Sequence, residues 1–163
     1  MELKGSCFCG EVEFSVQSRT PYPYMRCYCS ICRKTNGAGG YAINIRAVKE
    51  TLIVEGSSHV ETYRVPAHRT LSYEEGLSDA RRRFCSNCGS GLMVYNPEHT
   101  GVYPFASTID TDLPTPPERY HIMLESRPDW VELPKGPEEK YFEQFPDISI
   151  PDWHKEHDLF DAI

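Results

Sequence analysis

The sequence predicts a mostly β domain, and three observations carry that reading. Short apolar–polar alternations return at about 8–12-residue intervals with turn residues between them. Thirteen prolines and 11 glycines among 163 residues favour many turns over long helices. No stretch holds the 3.6-residue apolar period over the length of a surface helix. The length fits one domain with a core of its own.

Residues 10–17, GEVEFSVQ, set Val12, Phe14 and Val16 on one side and Glu11, Glu13 and Ser15 on the other, the period of a half-buried strand. Further strands are expected at YAINI (41–45), TLIV (51–54), HVETYRV (59–65), RRRF (81–84), GLMVY (91–95), VYPFA (102–106) and YHIML (120–124). A short helix is expected to follow Ser30, with Ser30 as its N-cap and Gly37 just past its end. The strands are short and closely spaced, which predicts several small antiparallel sheets. From Pro134 the composition changes to a proline-rich stretch with little periodicity. The expected organisation is a domain over 1–133 and an extended C-terminal tail over 134–163, with Tyr141, Phe142, Phe145 and Trp153 as anchors. Its last ten residues read equally well as a loose terminus.

Twenty-four acidic against 17 basic side chains leave a net charge of -7. Binding to nucleic acid or to an anionic membrane surface needs a basic field, so neither partner is expected. The N-terminal MELKGSCFCGEVEF lacks the apolar core of a signal peptide, and no apolar run approaches the ~18 residues of a membrane span. The expected setting is cytoplasmic and reducing. There, clustered cysteines are more often metal ligands than disulfides, and seven cannot all pair within one chain.

The seven fall into three groups: Cys7 and Cys9; Cys27, Cys29 and Cys32; Cys85 and Cys88. Cys85-Ser-Asn-Cys88-Gly89 has the spacing of a zinc knuckle, with the glycine permitting the tight turn. Cys7 and Cys9 at a strand edge would point to one side. Two pairs joined across the fold make a closed four-thiolate site of the structural type. Three ligands then remain, and three protein ligands with an open position define the catalytic type of zinc site. Two alternatives stay open on spacing alone: one four-thiolate site drawn from the triplet and the 85/88 pair, or a metal-free redox group at 27/29/32.

Three motifs in this order, GSCFCGEVEF, CYCSICRKTNG and RRFCSNCGSGL, resemble the glutathione-dependent formaldehyde-activating enzyme family, which includes centromere protein V. The resemblance continues through STID (107–110) to YHIMLESRPDW (120–130) and covers roughly residues 3–133. It implies a β-tent arrangement of small sheets. It also implies structural zinc ligands at Cys7, Cys9, Cys85 and Cys88 and catalytic zinc ligands at Cys27, Cys29 and Cys32. The implied activity is condensation of glutathione with formaldehyde to S-hydroxymethylglutathione, a carbon–sulfur lyase chemistry. Members often carry histidine where this chain has Tyr28.

Three thiolates make zinc a poorer Lewis acid than three neutral histidines, so capture and deprotonation of a small thiol suits such a centre better than hydrolysis. Arg33 and Lys34 could meet the carboxylates of a glutathione-like ligand, and Gly39 in NGAGG lets backbone approach it. The NGAGG stretch lacks GxxxxGK[ST], which excludes a nucleotide phosphate loop. Arg81, Arg82 and Arg83 alternate faces in a strand and read as solvated charge, His121 reads as a satisfied core histidine, and Trp130 and Trp153 read as packing anchors. Two rival functions remain: an enzyme of this fold acting on an imine or thioether intermediate, and a non-catalytic zinc-stabilised binding module.

Overall fold

The first strand forms where the expected pattern is weakest. In β1 (Glu2–Ser6) only Leu3 and Gly5 face inward, and the strand is held by pairing with β2 (Glu13–Gln17), where Phe14 and Val16 are buried. The computed structural model describes residues 1–69 and 75–159. Along the chain follow β3 (Tyr24–Cys27), α1 (Ser30–Asn36), β4 (Ala42–Asn44), β5 (Ala47–Val48) and β6 (Ile53–Glu55). Then come β7 (Val60–Pro66), β8 (Leu77–Cys85), β9 (Gly91–Tyr95), β10 (Gly101–Pro104), β11 (Arg119–Ile122), β12 (Glu139–Tyr141) and α2 (Ile150–Glu156).

These strands make three small sheets, in the orders β1-β2-β6, β5-β10-β9-β8-β7 and β12-β11-β3-β4. The chain is mostly β, as expected. Pairing in the first two sheets is antiparallel, but β11 runs parallel to both β3 and β12. Long crossovers make such parallel neighbours possible, and a strand-by-strand reading of the sequence does not register them. Backbone bridges Gly5↔Ile109 and Asn44↔Phe105 tie separate parts of the chain together.

Among the described residues two apolar clusters fill the interior. One gathers Leu3, Val12, Phe14, Ile45, Leu92 and Val102 with Cys7 and Cys85; the other gathers Met25, Phe105, Tyr120, Ile122 and Trp153 with Cys27 and Cys32. Each cluster therefore carries cysteines at its edge, and packing holds their backbone in place.

The C-terminal stretch departs from an extended course. Ser149 caps α2: its Oγ accepts from Asp152 N–H at 3.2 Å, and Pro151 lies at the helix start. The S-x-x-D spacing with an early proline is a start signal legible in the sequence. Trp153 is 2% exposed and anchors α2 on the second cluster, with Phe142 packed beside it. Phe145 and Trp130, expected as anchors, are 68% and 66% exposed instead. Neither lies in a strand or helix that presents its ring to a cluster.

His154 on α2 is buried, with Nε2 2.6 Å from the Tyr22 carbonyl oxygen, to which it donates. Burial lowers its pKa below 6.5; the carbonyl opposes this, and the charges of Arg46 and Arg19 add to the lowering. The unfolded chain thus takes up this proton at a higher pH than the folded chain, so stability is present above about 6.5 and lost as pH falls below it. The thermal midpoint should drop between pH 7.5 and 5.5, and His154→Gln should flatten the drop. An unchanged pH slope in that variant would show that buried neutral His154 is not responsible.

Candidate metal centres and their surroundings

The four-cysteine cluster forms where two turns meet. After β1 the chain turns back with Gly10 N–H donating to the Cys7 carbonyl at 3.1 Å, and Gly10 takes a φ of 78°. After β8 it turns with Gly89 N–H donating to the Cys85 carbonyl at 2.8 Å, and Gly89 takes a φ of 75°. Left-handed conformations of this kind favour glycine. Cys7 and Cys9 thus converge because they sit in a turn, and not because they alternate along a strand. The Ser90 hydroxyl accepts from Phe8 N–H at 3.2 Å and Asn87 Nδ2 donates to Cys9 Sγ at 3.3 Å, which locks the two turns together.

The four sulfurs lie within 4.8 Å of one another, with Cys7 to Cys9 at 3.5 Å and Cys9 to Cys85 at 3.8 Å. A tetrahedral ion with ~2.3 Å metal–sulfur bonds separates its ligands by about 3.8 Å, whereas a disulfide needs about 2.05 Å. The donor set therefore fits a metal such as zinc. Val12 N–H donates to Cys7 Sγ at 3.3 Å, a contact that favours thiolate.

Cys27, Cys29 and Cys32 form the second cluster, again with sulfurs within 4.8 Å. Cys27 ends β3, registered against Ala42 and Ile122. Cys29, and not Ser30, caps α1: its sulfur accepts from Cys32 N–H at 3.3 Å, the place a serine hydroxyl usually takes. Gly37 closes the helix, as expected. Hydrogen bonds from the Cys27 and Cys32 thiols hold the Cys29 pKa far below that of an ordinary thiol. Among the described residues no fourth Cys, His, Asp or Glu joins this cluster. The alternative that paired the triplet with Cys85 and Cys88 is overturned, because that pair sits with Cys7 and Cys9.

Behind the triplet lies a buried polar network. Alternation along the third sheet puts Arg26 and Tyr28 of the β3 segment, Arg119 and His121 of β11, and Glu139 and Tyr141 of β12 on one face. Cys27 is on the other face, with the second apolar cluster. Glu139 is gripped by Arg119 at 3.0 Å and lies 4.0 Å from Arg26. Burial works to raise the Glu139 pKa, but the His121 hydrogen bond and the nearby arginines prevail and hold it below the usual carboxylate range. His121, fully buried, is kept neutral chiefly by burial. It follows that His121 Nε2–H donates to Glu139 at 2.6 Å, and Nδ1 accepts from the Tyr28 hydroxyl at 2.8 Å. Burial pushes the Tyr28 pKa up to about 12, so it stays a donor. His121 is the satisfied core histidine expected, and Tyr28 is committed to it rather than turned toward the cysteines.

Of the other expected site residues, Arg33 is half-buried on α1 and Lys34 is exposed. A side chain at Gly39 would meet nothing within 4 Å, so its backbone is approachable. Gly40 is the constrained position, with a φ of 95° and Val131 packed where a Cβ would stand. Glu139 went unmarked in the sequence, although E-x-Y following an apolar R-x-H strand is a readable alternation.

Fold and site together define a β-rich protein with two cysteine centres suited to metal ions, one closed by four sulfurs and one holding three. The family model for glutathione-dependent formaldehyde-activating enzymes matches residues 2–126, and the chain belongs to that family. A Halomonas elongata protein, named provisionally as a glutathione-dependent formaldehyde-activating enzyme, is 51% identical over 156 residues, covering 94% of this chain and 95% of its own. The fold is similar to that of a solved Rhodobacter sphaeroides protein, with a TM-score of 0.53 and 24% identity over 68% of this chain and 91% of that one. No helix among the described residues is long and apolar enough to cross a membrane.

Proposed function

We propose that this chain is a zinc enzyme of the carbon–sulfur lyase type, which joins a small thiol to an aldehyde carbon or parts them again. Glutathione and formaldehyde are the pair to test first. One observation carries the reading: a three-thiol cluster that, among the described residues, no fourth Cys, His, Asp or Glu joins is separate from a complete four-thiol cluster. Cys7, Cys9, Cys85 and Cys88 would hold a structural zinc. Zinc on Cys27, Cys29 and Cys32 would supply a position where a thiol binds as its thiolate.

The chain's own residues then do the following. Hydrogen bonds from the Cys27 and Cys32 thiols, with a smaller share from Cys32 N–H, favour the ionised form of Cys29 and hold it in place. Arg33 and the open backbone at Gly39 would orient the thiol's polar arms, with Lys34 adding charge from the exposed side of the helix. In the addition, the thiol sulfur forms a bond to the carbonyl carbon and the carbon–oxygen π pair moves to oxygen. That oxygen takes a proton equivalent to the one the thiol lost, so the reaction needs no oxidant or reductant. All seven cysteines stand as free thiols, which suits a reducing, cytoplasmic setting.

The test is exchange spectroscopy on 13C-formaldehyde and glutathione at equilibrium with the zinc-loaded protein. Wild type should accelerate exchange into S-hydroxymethylglutathione, and Cys29→Ser, folded but short of one zinc, should not. Wild type with two zincs and no acceleration would sink the assignment. Turnover of imines in its place would move the same centre to that substrate class. Inactivity with both would favour the non-catalytic module.

A further inference from the structure

We infer that a cavity between β5 and α2 binds a phosphate group, as the free ion or as the monoester of a small alcohol. The site stands apart from the proposed thiol chemistry, and no cysteine is among the residues that line it.

The cavity has a volume of about 350 Å³, enough for a small organic phosphate. Arg19, Arg46, His154, Thr100 and Glu50 give it a polar lining, and Ala47 and Val48 of β5 give it an apolar wall. Several parts of the chain meet here. Arg19 follows β2, Arg46 and Glu50 flank β5, Thr100 precedes β10, and His154 lies on α2. The buried Ser18 hydroxyl donates to the Arg46 carbonyl at 2.7 Å, and Lys49 N–H donates to the Thr100 carbonyl at 2.9 Å. These bonds set both arginines and Thr100 around one space, although they are far apart in the sequence.

Two guanidinium groups against one carboxylate line the cavity, a local positive excess on a chain of net charge -7. Among the described residues no carboxylate forms an ion pair with Arg46, whereas Arg26, Arg64 and Arg119 each have one. Arg46 Nη2 reaches Thr100 Oγ1 at 3.5 Å, a long contact for a hydrogen bond. The planar fork of a half-buried guanidinium matches two oxygens of a phosphate.

His154 decides between phosphate and other anions. It is 2% exposed and its Nε2 is committed to the Tyr22 carbonyl, so Nδ1 is the ring nitrogen left for a ligand. Burial first, and then the charges of Arg46, Arg19 and His157, hold the ring neutral, with Nδ1 an acceptor. A phosphate monoester has a second pKa of about 6, and its monoanion carries an O–H beside its anionic oxygens. That O–H suits Nδ1, while the anionic oxygens suit the arginines and the Thr100 hydroxyl. Sulfate, fully ionised, has similar oxygens and no such donor.

The test is calorimetry on the full-length, zinc-loaded protein in phosphate-free buffer at about pH 6.5 and constant ionic strength. Inorganic phosphate, glycerol 3-phosphate and sulfate are compared. Wild type should take up one phosphate per chain, at least about tenfold more tightly than sulfate. A tighter glycerol 3-phosphate would name the ester as the ligand, and a tighter inorganic phosphate the free ion. Arg46→Gln should weaken binding by about tenfold or more, and Arg46→Lys should restore part of it. Arg81→Gln removes an exposed charge outside the cavity and should bind as wild type does. Zinc content and the phosphate-free thermal midpoint should be the same in all four proteins. Sulfate binding to wild type as tightly as phosphate would overturn the inference whatever the variants do. So would phosphate binding that survives Arg46→Gln, which would put the anion at a metal centre. An Arg81→Gln protein weakened as much as Arg46→Gln would also overturn it, since net charge alone would then account for the binding.

Discussion

Cys85→Ser should unfold the domain, whereas Cys29→Ser should leave it folded with one metal fewer. Cys85 is fully buried where β8 turns into β9, and its sulfur lies 3.8 Å from Cys9, in the turn that follows β1. The four-sulfur centre thereby fastens the three-stranded sheet to the five-stranded one. Structural zinc contributes about 10–16 kcal/mol in small domains, which is as large as the whole stability of a typical one at about 5–15 kcal/mol. The triplet is placed differently. Its backbone is fixed by β3, α1 and the apolar cluster around Trp153, so loss of one ligand leaves the frame standing. Zinc per chain and circular dichroism on the two variants, with a chelator titration of wild type, would check this. A folded Cys85→Ser protein that keeps two zincs would refute the division of labour between the centres.

Glu139→Ala should cost about 3–5 kcal/mol in urea unfolding. The carboxylate is 8% exposed and satisfies Arg119, His121 and, at longer range, Arg26. Its removal leaves Arg119 with only the more exposed Glu138, takes from Arg26 its nearby carboxylate and strands an imidazole N–H without an acceptor, which is the expensive way to break a buried network. Glu139→Gln should fall between the two, since the amide oxygen can still accept from His121 but no longer neutralises the arginines. A loss below about 1 kcal/mol for the alanine variant would mean that the network is not the stabilising unit its geometry describes. Glu139 lies beyond residues 2–126, so the C-terminal segment completes the support behind the triplet rather than merely following the domain.

Much of the fold was legible because its strands keep the two-residue period. GLMVY at 91–95 is β9 to the residue, and HVETYRV lies within one residue of β7 at either end. The pieces that escaped are those whose stability comes from partners. β1 has too few apolar residues to show alternation, β5 is two residues long, and β12 is held by pairing with β11. Helix α2 did carry a local signal in Ser149, Pro151 and Asp152, but the surrounding prolines masked it. At the site, the cysteines were legible because thiols at knuckle spacing have few other uses in a reducing setting. The His121–Glu139 network behind them was not, because alternation says that neighbouring residues take opposite faces but not which strands lie side by side.

By itself the sequence determined the fold class and the grouping of the cysteines, since strand period and ligand spacing act over a few residues and need no partner. Tertiary structure alone decided that Cys7 and Cys9 join Cys85 and Cys88, leaving three sulfurs together. It alone linked Tyr28 to His121 across 93 residues and His121 to Glu139 across 18. The reason is physical: a buried polar group takes whichever partner the packing brings within about 3 Å, and sheet order, not chain order, sets that distance.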